Sequence, residues 1–114
     1  MKYSDEKVYV QAIARLNDEL RRTHSTGRVM MTVGFDALPA GTWTKAIKAI
    51  QQFSNFTPDN DPHGEHDFGQ LEVDGISLIW KIDYYDLSYR YLSPNAADPA
   101  VTRRVLTMML AEEY

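Results

Sequence analysis

Apolar residues recur every three or four positions near the beginning of the chain. Tyr9, Ile13, Leu16 and Leu20 are four, three and four residues apart, so they share one face of a helix. We therefore predict an amphipathic helix over residues 5–23.

Two further segments follow the same logic. Residues 28–35, RVMMTVGF, are rich in apolar and β-branched residues and predict a strand. The stretch DALPAG is typical of a turn. A second helix is predicted over residues 42–52, because apolar residues return there at helical spacing: Trp43, Ile47, Ile50 and Phe53.

The strongest local signal is LEVDGISLIW, in which Asp74-Gly75 separates two apolar runs. This dipeptide is typical of a two-residue β-hairpin turn, and such a turn sets the register of the two strands. The predicted cross-strand pairs are Val73 with Ile76, Glu72 with Ser77, Leu71 with Leu78, Gln70 with Ile79, Gly69 with Trp80, Phe68 with Lys81, and His66 with Asp83.

Side chains alternate between the two faces of a strand, so this register predicts an apolar face and a mainly polar face. The apolar face contains Leu78, Trp80, Ile82 and Tyr84 and is expected to cover the core. The polar face is expected to place His66 beside Asp83.

A last helix is predicted from residue 99 to about residue 112. Asp98 is a suitable N-cap, and Pro99 suits the first helical position. The expected apolar side consists of Val101, Val105, Leu106, Met108, Met109 and Leu110. The element order is then α-β-α-β-β-α. We predict an α+β fold, in which residues 1–114 form a single two-layer domain with a small, mainly antiparallel three-stranded sheet packed against helices.

Composition narrows the possible functions. The chain has 114 residues, no cysteine and a net charge of −4, so disulfides and thiolate ligands are excluded. The acidic balance argues against direct binding of nucleic acid. No signal peptide and no apolar run of about 20 residues is visible, so we expect a cytoplasmic protein without a membrane span.

Several long motifs carry a family resemblance. FTPDNDPHGEHDFG, WKIDYYD, the ending DPAVTRRVLTMMLAEEY and the earlier IARLNDELRRT resemble the bacterial family called domain of unknown function 3768. The resemblance covers nearly the whole chain. It implies a small single-domain bacterial protein, often carried by plasmids, phages or integrated elements, and it implies no catalytic residues that can be transferred.

The acidic loop, residues 56–69, contains the candidate metal ligands His63, His66, Asp67, Asp59 and Asp61. Asp59, Asp61 and His63 occupy positions one, three and five of an EF-hand-like loop, but Gln70 stands where calcium needs a bidentate glutamate. Imidazole with carboxylate also suits zinc or manganese. The spacing fixes no geometry, so we assign no cofactor and keep a divalent metal as an alternative.

Metal-free chemistry is a third possibility for this loop. His66 beside Asp83 would form an oriented imidazole for acid–base catalysis, and Glu65 is a further catalytic candidate. A structural role is the simplest reading, because Asp and Asn in turns bond to nearby backbone N–H groups.

A dense group of tyrosines suggests a binding surface instead, because tyrosine is favoured in protein interfaces. The predicted surface residues are Tyr85, Tyr89, Tyr91, Lys81, Asp83, Asp86 and Glu72. We expect a protein partner, with a basic surface of a nucleoprotein defence complex as one example, and leave the oligomeric state open.

Two functions therefore remain. The favoured one is a small acidic binding or inhibitor module, with an accessory or anti-defence role against CRISPR or restriction complexes suggested by the resemblance. The alternative is a small metal-dependent or His/Asp acid–base enzyme, such as a hydrolase. A short chain leaves little room for a deep pocket, which favours the module without deciding whether the protein is an enzyme.

Overall fold

The computed structural model describes the backbone of residues 2–114 and the side chains of residues 5–114. It contains three helices and four strands, with a turn of 3-10 helix on either side of the last strand. In chain order the elements are α1 Lys2–Thr23, β1 Arg28–Met31, α2 Val33–Asp36, α3 Ala40–Gln51, β2 Phe68–Val73, β3 Ile76–Tyr85, the 3-10 turn Pro99–Val101, β4 Arg103–Leu110 and the 3-10 turn Ala111–Glu113.

The fold is α+β, as the sequence predicts, but the sheet differs from the prediction. It has four strands in the order β1-β4-β3-β2. The pairs β2–β3 and β3–β4 are antiparallel, whereas β1 runs parallel to β4, so the sheet is mixed. The expectation of three mainly antiparallel strands is therefore wrong in number and in the direction of one pair.

The largest error concerns residues 99–112, which form strand β4 between two 3-10 turns rather than a helix. β4 is central in the sheet and is buried on both faces, so its apolar residues run almost without interruption. Such a run cannot be distinguished from a buried helix by periodicity alone. The predicted cap is confirmed, because the Asp98 side chain accepts a bond from the N–H of Ala100 at 2.9 Å, but it caps only the 3-10 turn.

The first strand is shorter than predicted. β1 ends at Met31, and the hydroxyl of Thr32 accepts a hydrogen bond from the N–H of Phe35 at 3.3 Å. This N-cap begins the short helix α2, which buries Phe35 completely. The residues Val33–Asp36 are therefore helical although their composition suits a strand.

The predicted hairpin register is confirmed from Val73–Ile76 outward to Phe68–Lys81. Asp74 and Gly75 both have positive φ, 52° and 78°, as the tight turn between these strands requires. Because the register is fixed by the turn, Gly69 lies opposite Trp80 in the sheet.

The core lies between the helices and one face of the sheet, which we call the inner face. Leu20 of α1 and Ile50 of α3 belong to the same buried cluster as the inner-face residues Leu78, Trp80 and Leu106. Both long helices therefore pack on the inner face, which gives the expected two layers. The opposite, outer face carries Arg28, Met30, Phe68, Gln70, Glu72, Ser77, Ile79, Lys81, Asp83, Tyr85, Arg103, Val105, Thr107 and Met109.

Within the described residues, the helices are too short or too polar to cross a bilayer.

Gly69 allows the ring of Trp80 to lie directly against the backbone of β2. A Cβ at residue 69 would overlap Trp80 Nε1 and lie 2.6 Å from its Cε2. Trp80 is fully buried, so it has no room to move away. We expect Gly69→Ala to lower the free energy of unfolding by about 1–3 kcal/mol, measured by urea denaturation.

Gly41→Ala is the matched control. No atom lies within 4 Å of a Cβ at residue 41, which is exposed in the first turn of α3. Its stability should change by less than about 1 kcal/mol, because alanine favours the helix. Equal stability of the two variants would contradict the close packing of Trp80 on β2.

Candidate functional site

The acidic loop is held in part by its own polar side chains. Asn60 accepts a hydrogen bond from the N–H of Thr57 at 2.8 Å and donates one to the carbonyl of Asn55 at 2.7 Å. The N–H of Asp61 donates to the carbonyl of Thr57 at 2.8 Å. These bonds close a compact turn, as the structural reading of this segment predicts.

His66 leaves the path of β2 and turns toward α1. Its φ of 55° is left-handed, and β2 begins only at Phe68. His66 Nδ1 lies 3.0 and 3.1 Å from the two carboxylate oxygens of Asp18. The imidazole also stacks on Phe56, with 3.8 Å between ring centroids and 2° between planes. The predicted pairing of His66 with Asp83 is therefore wrong, because the backbone turn at His66 carries its side chain to the helical layer.

Asp83 makes a different contact on the outer face. Its carboxylate lies 2.5 Å from Lys81 Nζ, two residues earlier on the same strand. This hydrogen bond raises the pKa of Lys81 and keeps the ammonium charged. The two predicted catalytic partners, His66 and Asp83, thus lie in separate environments.

A buried polar network connects α1 to the sheet and to the acidic loop. Its centre is Asn17, which is fully buried. The Asn17 amide donates to the hydroxyl of Tyr84 at 2.7 Å and to the carbonyl of Glu65 at 3.0 Å, and its oxygen accepts from Arg104 Nε at 2.9 Å. The Tyr84 hydroxyl in turn donates to the Glu65 carboxylate at 2.8 Å.

Burial changes the ionisation of groups around this network. Desolvation raises the pKa of Tyr84 far above its ordinary value, so the phenol stays protonated and donates to Glu65. Desolvation and the nearby Glu65 charge also raise the pKa of Asp67, which is half-buried at the entrance to β2. Glu65 therefore serves as a hydrogen-bond acceptor inside the fold, with the carboxyl of Asp67 nearby.

Arg21 provides a second link between α1 and the core. Its guanidinium donates to Asp18 at 2.8 Å and to the carbonyl of Phe53 at 2.9 Å, and it lies 5.1 Å from the ring of Trp80. The side chain is fully buried. Asp18 therefore contacts both His66 and Arg21, and it is the only carboxylate that Arg21 contacts among the described side chains.

The position of His66 limits what it can do chemically. One ring nitrogen faces Asp18, and the other lies 3.7 Å from Asp61 Oδ2. The backbone N–H of His66 also donates to Asp61 at 3.3 Å. Both nitrogens thus face carboxylates of the protein itself, and these contacts connect the acidic loop to α1.

The predicted metal ligands lie along the acidic loop in different surroundings. His63 and Asp59 are exposed on the acidic loop, while Asp61 is turned to His66 and Asp67 is half-buried. Within the described part of the chain, no three His, Asp or Glu side chains are grouped so that they would hold a metal ion.

The tyrosine region contains a loop between β3 and the 3-10 turn at Pro99 that is held by its own hydrogen bonds. One Asp86 carboxylate oxygen accepts hydrogen bonds from the Ser88 hydroxyl at 2.9 Å and from the N–H groups of Ser88, Arg90 and Tyr91 at 3.2, 3.1 and 3.4 Å. The Asp86 N–H donates to the Tyr91 carbonyl at 2.8 Å. We call residues 86–92 the braced loop.

Large apolar side chains project from the braced loop. Leu87, Tyr91 and Leu92 are 51, 72 and 80% exposed. Tyr89 has a positive φ of 60°, and its ring lies 4.3 Å from the guanidinium carbon of Arg28 and 6.3 Å from the ring of Tyr85. The predicted binding residues Tyr85, Tyr89, Tyr91 and Asp86 thus form one continuous region.

Lys81 and Asp83 continue this region along the outer face, whereas Glu72 is far from it. Glu72 pairs with Ser77 beside the hairpin turn, and Ser77 is eight residues before Tyr85. At the usual rise of an extended strand, this separation is about 27 Å.

Sequence reasoning missed the polar residues of α1 and β4 that hold the loop: Asn17, Asp18, Arg21 and Arg104. A signal was present, since Asn17 and Arg21 lie on the same helical face as Ile13 and Leu20. A polar residue within an apolar stripe indicates a buried hydrogen-bond network. Arg104 was hidden by the prediction of a helix at that end of the chain.

Asp18 provides a direct test of this arrangement. Asp18→Asn would leave the buried Arg21 guanidinium without a carboxylate and remove the anion beside His66. We expect the free energy of unfolding to fall by about 3 kcal/mol, measured by urea denaturation. Glu19→Gln, at the neighbouring exposed position, should change it by less than about 0.5 kcal/mol. Equal losses would show that the Asp18 contacts do not stabilise the fold.

Comparison with known proteins adds the family. The model of the family described as "Protein of unknown function (DUF3768)" matches residues 31–113, from the end of β1 through β4. No curated protein and no solved structure matches the chain. The family match includes the acidic loop, the hairpin and the braced loop, and it covers most of the chain. The chain therefore belongs to the DUF3768 family.

Proposed function

We propose that this protein is a small binding module that acts by occupying another protein, through the braced loop and the adjoining part of the outer face. One observation carries the proposal. A single carboxylate, Asp86, is bonded to three N–H groups of its own loop, while the same loop exposes Leu87, Tyr91 and Leu92.

A flexible loop loses conformational entropy when a partner orders it, and this loss weakens binding. A loop that is already held by internal hydrogen bonds loses little conformational entropy when a partner covers it. Hydrogen bonds from Ser88, Arg90 and Tyr91 outweigh desolvation and lower the pKa of Asp86, so the brace stays charged near neutral pH. A pre-ordered loop with exposed apolar tips is therefore suited to recognition.

The residue types at this surface support the same function. Tyrosine and arginine contribute most to the energy of many protein interfaces, because each combines a large rigid contact area with polar atoms. Tyr91 is 72% exposed, and Arg90 beside it is exposed as well. Exposed apolar side chains that are grouped, rather than scattered, are typical of interaction sites.

The same geometry favours the binding module over the acid–base enzyme. The His66 nitrogens face Asp18 and Asp61, and Asp83 contacts Lys81. The groups that suggest catalysis in the sequence thus have partners within the protein. We therefore propose no hydrolase activity, and the proposal requires no metal.

The biological setting is a further part of the proposal. On the basis of the mobile-element context that the family resemblance implies, we propose an accessory or anti-defence role in the cytoplasm, such as inhibition of a CRISPR or restriction complex. This step is an argument from association rather than from contacts. The proposed partner is a protein, or one protein subunit if the partner is a nucleoprotein complex. The net charge of −4 predicts that part of the partner surface is basic.

The rigidity of the braced loop is the first property to test. Asp86→Ala removes the acceptor of three loop N–H groups, so the amides of Ser88, Arg90 and Tyr91 should exchange with solvent about fivefold faster. Hydrogen exchange followed by NMR provides the measurement. Asp36→Ala, at an exposed position in α2, is the control and should leave these rates unchanged. Unchanged exchange in Asp86→Ala would contradict the brace.

The binding surface itself is tested by capture of a partner. The protein, carrying a photo-crosslinker at Leu87, is expressed in its natural host, and the cross-linked protein is identified. Tyr91→Ala should reduce its capture at least about tenfold, as expected for a central aromatic contact.

Val33→Ala is the control for this experiment. Val33 is 88% exposed, so it is an apolar side chain as open to solvent as Tyr91, but it lies on α2, beyond the end of β1 that pairs with Met108 and away from the braced loop. Its loss should leave capture unchanged. Capture that is equally reduced by both substitutions, or by neither, would count against the braced loop as the binding surface.

A further inference from the structure

Two arginines begin neighbouring strands at the end of the sheet where the braced loop lies. Arg28 is the first residue of β1 and pairs with Val105, and Arg103 is the first residue of β4, two residues before Val105. Side chains two residues apart share a face, so both arginines lie on the outer face. They line a cleft of about 480 Å³ together with Tyr89 of the braced loop.

Neither arginine is neutralised by the protein. Among the described side chains, Arg28 and Arg103 make no ion pair, whereas Lys81, Lys45 and Arg21 each contact a carboxylate. The Arg28 guanidinium instead lies over the ring of Tyr89, which holds it at the cleft without removing its charge. None of the described residues that line the cleft is acidic.

Arg104, the next residue along β4, faces the other way. It is 5% exposed, and its guanidinium donates to the Asn17 oxygen and to the carbonyl of Ala96 in the buried network. Its backbone carbonyl lies next to Gly27, which also lines the cleft. Two cations, Arg28 and Arg103, thus line a cleft that has no acidic side chain among its described residues.

We propose that this cleft receives a carboxylate-bearing segment of the protein partner. The inference rests on the proposed function, because Tyr89 belongs both to the cleft and to the braced loop. A partner segment that covers Tyr89 therefore meets the Arg28 guanidinium, which lies 4.3 Å from the Tyr89 ring. At this end of the sheet, the complementary chemistry of the partner is acidic.

An acidic peptide fits the cleft better than a nucleic acid does. Specific binding of a phosphate backbone uses about 6–10 contacts along a positive track, whereas here two exposed arginines lie in one compact cleft. One or two carboxylates, followed by apolar residues for the braced loop, match this surface.

The test uses short fluorescent peptides and the full chain. A peptide of alternating Asp and Leu should bind, as measured by fluorescence anisotropy, and its affinity should fall as salt is added. The same peptide with Asn in place of Asp should bind at least about tenfold more weakly. Arg28→Glu and Arg103→Glu should each weaken binding of the acidic peptide by at least about tenfold.

Control variants separate the cleft from general electrostatics. Arg15→Glu makes the same charge change at an exposed site on α1 and should alter affinity by less than about twofold. Arg28→Gln and Arg103→Gln, which remove a charge without adding one, should give smaller losses in the same direction. Thermal unfolding verifies that each variant is folded.

The outcomes that overturn the inference are distinct. No binding of the acidic peptide, or equal binding by Arg103→Glu and Arg15→Glu, would exclude the cleft as its site. Tighter binding of an oligothymidine of equal charge would assign the cleft to nucleic acid instead. Partner capture that needs Tyr91 but tolerates Arg103→Glu would reject the cleft and keep the binding module. Peptide binding that depends on Arg103, with no partner captured through Tyr91, would keep the cleft as a peptide site and reject the binding module.

Discussion

The contact between α1 and the sheet depends on the hydrogen bonds of one buried amide. Asn17 joins Tyr84 of β3, Arg104 of β4 and the carbonyl of Glu65 in the acidic loop. A shift of the helix would break these three hydrogen bonds together and leave the buried Asn17 amide without partners, and an unsatisfied buried polar group costs about 1–3 kcal/mol. The network therefore sets the position of α1 along the sheet, and with it the place where Asp18 meets His66.

The sequence specifies the hairpin because the information is local. Asp74-Gly75 determines the turn, and alternation then determines which residues face each other as far as Phe68. The prediction fails at His66, where contacts with α1, remote in sequence, take the backbone into a left-handed conformation. The type of a turn can be predicted from residues that are adjacent in the sequence. A contact between residues 48 positions apart, such as His66 with Asp18, cannot.

The prediction for β4 fails for a different reason. A strand that is central in a mixed sheet is apolar on both faces, and the run VLTMML satisfies a helical pattern equally well. Because residues 103–110 were predicted to be helical, the sequence analysis identified neither the buried role of Arg104 nor the cleft that Arg28 and Arg103 line. In the candidate site, the tyrosines and Asp86 were identified from composition, whereas the bonds that hold the braced loop became visible only in the fold.

The arrangement of the sheet also bears on how the protein folds. β1 hydrogen-bonds only to β4, and β4 lies between β1 and β3. Until β4 is in place, β1 has no strand to pair with among the described strands, whereas the β2–β3 hairpin can form from neighbouring residues. Closure of the sheet therefore depends on a contact between residues far apart in the chain, since Arg28 pairs with Val105. Such non-local pairing carries a high entropic cost of loop closure and slows folding.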